Sequence, residues 1–109
     1  MNNKTNIIDK LITKTGENSQ ELALFQEKFS VYSEITPAVV NDVLKRTFEE
    51  NKELAQQELT SSTYDKFFVE ECIEKAQQAS ALYKILQEIF EEEDKEKESL
   101  KKKIVELSF

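Results

Sequence analysis

From Val69 to Leu107, apolar residues recur at alternating intervals of three and four: Val69, Cys72, Ala76, Ala79, Tyr83, Leu86 and Phe90, then Leu100, Ile104 and Leu107. The two positions where the series skips hold Glu93 and Lys97, yet its phase is the same on both sides. Such spacing lines one face of an α-helix and scatters across both faces of a strand, so this stretch buries its apolar side chains only as a helix. The run Glu91-Glu92-Glu93-Asp94-Lys95-Glu96-Lys97-Glu98 interrupts the stripe chemically without shifting it. Pairs Glu91–Lys95, Glu93–Lys97 and Glu98–Lys102 have the i,i+4 spacing that adds a few tenths of a kcal/mol each to a helix. One helix, or two nearly collinear ones, is expected.

Length gives that expectation a consequence. About 45 residues of helix span roughly 65 Å, whereas a compact domain of this chain length has a radius of gyration of about 13 Å. Either the charged run is a hinge and residues 100–109 fold back, or the tail projects and meets another chain.

The rest of the chain also reads as helical. One Gly and one Pro leave few turn signals, and strand-like alternation is nowhere sustained. A first helix is expected over 5–15, with Ile7, Ile8, Leu11 and Ile12 on one face and Gly16 as a left-handed cap. A second is expected to begin with Asn18 and Glu21 as a capping box, to carry Leu22, Phe25, Phe29 and Tyr32, and to end near Glu34. The third has the best local start: Thr36 as N-cap, Pro37 at the first helical position, and Ile35 with Val40 as a hydrophobic staple. Val40, Leu44, Phe48, Asn51, Ala55 and Leu59 then mark its inner face. Ser62 and Asp65 open the fourth helix, where Tyr64, Phe67 and Phe68 either plug the bundle end or form an aromatic anchor. The expected fold is all-α: a small bundle of about four helices with a long C-terminal helix. Residues 1–109 form a single helical domain in which 91–109 is a charged tail.

Composition removes most chemistry. With no His, imidazole acid–base catalysis and His-ligated metals are absent; with one Cys, Cys72, so are internal disulfides and thiolate zinc clusters. A single glycine excludes a Rossmann turn and a P-loop, and it leaves no calcium loop. Paired carboxylates abound, but none has the Glu-x-x-His spacing of di-iron bundles. An enzyme is not expected, a carboxylate-only one being a remote case, and no cofactor, metal or small-molecule substrate is called for. With 22 acidic against 15 basic residues the net charge is −7, and Arg46 is the one arginine, so direct nucleic-acid binding is not expected either. No apolar run reaches the roughly 20 residues of a membrane span and no leader peptide is evident, which points to the cytoplasm and to no membrane contact.

What remains is binding. The stripe over 69–90 reads first as bundle core, and Cys72 as a buried small hydrophobe. The tail stripe, set apart by two turns of charge, reads equally as docked or as partner-seeking. The leading expectation is a non-catalytic protein–protein interaction module, self-associating as a homodimer or adaptor-like, using Tyr83, Leu86, Phe90, Leu100, Ile104 and Leu107. The alternative is a small acidic inhibitor of the kind made by phages and mobile elements. It would present Glu91, Glu92, Glu93 and Asp94 to the nucleic-acid site of a basic partner, although a solvated helix face is the commoner meaning of such a run.

Overall fold

The computed structural model describes residues 3–109, which form four helices: α1 (Lys4–Thr15), α2 (Gln20–Lys28), α3 (Pro37–Glu58) and α4 (Lys66–Val105). There is no strand among the described residues. The all-α bundle with a long C-terminal helix expected from the sequence is the fold.

Local sequence explains most of the boundaries. Thr36 Oγ1 accepts from the Val39 N–H at 3.2 Å and Pro37 follows it, so α3 starts where its own residues specify. Ile35 and Val40, the staple pair, are both buried. Asp65 Oδ1 accepts from the Phe68 N–H at 3.1 Å, so the N-cap of α4 is Asp65 itself and not Ser62 of the expected box pair.

Two expectations at α2 are corrected. Its N-cap is Ser19, not Asn18: Ser19 Oγ accepts from the Leu22 N–H at 3.0 Å and shares a 2.7 Å hydrogen bond with Thr15 Oγ1. Its end is Lys28, not Glu34, because the chain must turn early to bring Ile35 into the core. Asn3 holds it there with two hydrogen bonds, Asn3 Nδ2 donating to Ile35 O at 2.6 Å and the Ile35 N–H donating to Asn3 Oδ1 at 2.7 Å. Phe29 then closes α2 as a buried cap, stacked on Phe25 with ring centroids 4.9 Å apart. Gly16 closes α1 with a positive φ of 98°, as expected, but its ψ of 162° is extended rather than left-handed helical.

Packing sets the topology. Val40, Val43 and Leu44 of early α3 share a cluster with Leu82, Leu86, Ile89 and Phe90 of late α4, while Ala55 of late α3 meets Val69 and Cys72 of early α4. The two helices are therefore an antiparallel hairpin. α1 and α2 pack on the open half of that hairpin, away from its turn, and supply Ile7, Leu11, Leu22, Leu24 and Phe25 to the main core, with Phe29 just after α2. α1 also runs antiparallel to α4, since Asn6 and Lys10 meet Glu93 while Lys14 meets Glu88 and Glu92.

This arrangement covers only the centre of α4. The helix is continuous for 40 residues, about 60 Å, so the charged run is not a hinge. The molecule measures 77 × 25 × 21 Å with a radius of gyration of 18.2 Å, against about 13 Å for a compact chain of this length. Its surface of 7907 Å² likewise exceeds the roughly 6,200 Å² expected at this mass.

Candidate functional site

In the main core, the buried series on α4 is Ala79, Leu82, Leu86, Ile89 and Phe90, with Val69, Cys72 and Ala76 buried ahead of it. The face is wider than the single stripe because α3 covers one side of it and α1 with α2 the other. Leu86, Glu93, Leu100 and Leu107 are spaced by seven, and Ile104 lies fourteen residues after Phe90, so the tail presents the helix face that the bundle buries further back. Coverage stops at Glu93, which is half-buried, and every residue from Asp94 to Phe109 is exposed.

The six apolar residues singled out from the sequence therefore separate into three kinds. Leu86 is fully buried and Phe90 nearly so, at 9% exposure, and both pack inside this chain's own core. Tyr83 is half-buried and lines a shallow groove of about 340 Å³ between α3 and α4, with Leu44, Phe48 and Ala79 beside it. Leu100, Ile104 and Leu107 are bare, at 52%, 67% and 77% exposure, and Val105 and Phe109 at the same end are barer still. The structure thus brings Leu100, Ile104 and Leu107 together as one exposed stripe and keeps Leu86 and Phe90 away from solvent.

The acidic run also divides. Glu92 Oε1 receives Lys14 Nζ at 2.7 Å, and Glu93 Oε1 receives Lys10 Nζ at 3.4 Å and Asn6 Nδ2 at 2.9 Å. The hydrogen bond from Lys14 holds the Glu92 carboxyl below its ordinary range, and the same contact raises the Lys14 ammonium above its own. Glu91 and Asp94 face solvent. Two of the three expected i,i+4 pairs are replaced: Glu93 turns to α1, and Glu98 pairs with Lys101 at 3.2 Å. Lys102 and Lys103 form no ion pair among the described residues, and they flank the bare stripe.

A second exposed patch lies at the other end of the molecule. Leu59, Tyr64, Phe67 and Phe68 surround the turn between α3 and α4, with Phe67 81% exposed. These aromatics do not plug the bundle end. α1 and α2 cover the opposite half of the hairpin and leave only the small cluster of Ala55, Val69 and Cys72 beneath the tip. Cys72 is buried there, as expected. Asn51, on the inner face of α3, donates from its Nδ2 to Thr47 O on its own helix at 2.8 Å.

Among the described residues no helix is long and apolar enough to cross a membrane, and no group of three or more His, Cys, Asp or Glu is placed to hold a metal ion. Comparison with known protein families, curated proteins and solved structures finds no match to this chain.

Proposed function

We propose that this chain is a non-catalytic protein-binding module whose contact element is the projecting end of α4, centred on Leu100, Ile104 and Leu107. One observation carries the reading. A single helix face is buried by the bundle up to Glu93 and then left bare over residues that keep the same apolar pattern. A free helix end has no need of that pattern, and an amphipathic helix laid into an apolar groove reads through residues at this spacing. Exposed apolar groups clustered on one element, rather than scattered singly, are what binding surfaces are made of.

The acidic-inhibitor alternative finds less support in the geometry. Half of the four-carboxylate cluster is engaged by α1, and Lys101, Lys102 and Lys103 follow one turn later. Phosphate mimicry wants an uninterrupted negative field, which this surface does not offer.

Ile104→Glu is the test, because the side chain touches nothing that holds the bundle together. The substitution should remove the proteins that co-purify with the wild-type chain from a lysate of its source cells, while far-ultraviolet circular dichroism and the melting temperature stay as they are. Retention of the same partners by the variant, or collapse of the whole fold, would overturn the proposal.

A further inference from the structure

The two bare ends of the molecule are opposite in charge as well as in position. Around the α4 tail, residues 97–107 contain Lys97, Lys101, Lys102 and Lys103 against Glu98 and Glu106, a local balance of +2. Around the hairpin tip, residues 58–71 contain Glu58, Asp65, Glu70 and Glu71 against Lys66, a balance of −3. The tail offers aliphatic side chains on a free helix, and the tip offers Tyr64, Phe67 and Phe68 beside Leu59. The tip joins the C-terminus of α3 to the N-terminus of α4, so the two helix dipoles largely offset there and the side chains decide its sign.

Like ends oppose one another. Two tails aligned antiparallel so that Leu100 meets Ile104 bring Lys101 and Lys103 against the same residues of the other copy. A parallel alignment stacks lysine on lysine and the acidic run on itself. Two tips meet acid on acid. Only unlike ends satisfy both the apolar and the charge pattern.

Resting on the reading of the tail as a binding element, we propose that its partner is a second copy of this chain: the basic apolar end of α4 docks on the acidic aromatic tip of the α3–α4 hairpin of the next molecule. Such a contact is heterologous and leaves a free tip and a free tail at every stage, so it builds linear chains rather than a closed dimer. Each interface is small and therefore weak and concentration-dependent.

Sedimentation velocity from micromolar to near-millimolar protein tests this, using wild type, Ile104→Glu, Phe67→Glu and a one-to-one mixture of the two variants. Wild type should form a ladder of species that shrinks at about 1 M salt, where the screening length falls to about 3 Å. Each variant alone should lose every species above the 12.7 kDa chain. The mixture should recover a species of twice that mass and nothing larger, because one variant keeps an intact tip and the other an intact tail. Self-association of Phe67→Glu alone would mean tail-to-tail pairing and would sink the head-to-tail arrangement while leaving the tail as a binding element. A wild type that stays monomeric throughout would also sink it. In that case, tail-dependent co-purification of a foreign protein would still uphold the broader reading, and its absence would remove both.

Discussion

Asn3 and Ile35 are joined by two hydrogen bonds across 32 residues, the amide side chain of one pairing with the backbone of the other at 2.6 and 2.7 Å. Asn3 stands at the N-cap of α1, a position where asparagine ordinarily bonds its own helix, but here its side chain makes no capping bond. It closes the loop after α2 instead, and holds Ile35 in place just ahead of the self-capped start of α3.

Asn3→Ala should accordingly destabilise the fold by about 1–3 kcal/mol, the range for removing a partner from half-buried backbone groups. Asn3→Asp tests the pairing more sharply, because a carboxylate still accepts from the Ile35 N–H but cannot donate to the Ile35 carbonyl. Urea unfolding of the three proteins should rank Asn3 above both variants. A wild-type midpoint in Asn3→Ala would show that the two hydrogen bonds contribute nothing.

Gly16 makes a different demand on its position. At φ 98° and ψ 162° it occupies a region that is essentially closed to other residues, although a β-carbon there would meet no atom within 4 Å. The strain is in the backbone alone. Gly16→Ala should cost about 1–3 kcal/mol by that mechanism. Gly16→Asn should do no better, since asparagine is tolerated in the left-handed helical region and not in this one. Recovery of stability by the asparagine variant would place the residue in the left-handed region after all.

The contact between Lys14 and Glu92 gives the fold a pH dependence whose sign follows from the two shifts. Glu92 titrates lower in the folded chain than its ordinary 4.5, so its contribution is complete above that value and is lost as pH falls through the lowered one. Lys14 titrates higher than its ordinary 10.5, so its contribution is complete below that value and is lost as pH rises through the raised one. The stability difference between wild type and Glu92→Gln should therefore be greatest across the window between 4.5 and 10.5 and shrink on both sides. Both groups reach solvent, so the difference should be small and should fall with added salt. Unfolding midpoints measured against pH would contradict this by showing a constant offset.

These sites mark where local sequence information ends. Thr36 and Asp65 each cap a helix by a bond to the residue three positions on. The start at Thr36 is legible for that reason, whereas the box spacing of Ser62 and Asp65 points to a cap three residues before the true one at Asp65. Asn18 and Ser19 are equally good caps in isolation. Ser19 is the cap in the fold, and its hydroxyl is also joined to Thr15. The end of α2 depends on Asn3 reaching Ile35, and the neutralisation of Glu92 and Glu93 depends on lysines 78 and 83 residues away. No periodicity encodes either. The candidate site shows the same division: the stripe of Leu100, Ile104 and Leu107 was visible as a pattern. That it is bare follows from α1 beginning opposite Glu93, so that nothing on that side reaches further along α4.

Leu82 and Leu100 occupy the same face of one helix and differ only in what lies over them. Leu82 is fully buried beneath the bundle, so Leu82→Ala should cost about 2–5 kcal/mol in lost transfer free energy and residual cavity. Leu100 is 52% exposed, and Leu100→Ala should change stability by no more than about 0.5 kcal/mol. Chemical unfolding in dilute solution, where chains are single, makes the comparison direct. Similar losses at the two sites would mean that the tail packs against its own bundle, and the contact element would have to be sought at the hairpin tip instead. A large loss at Leu82 alone would leave the tail free of any duty to the fold, so that a loss of binding on substitution there could be read as the loss of a contact.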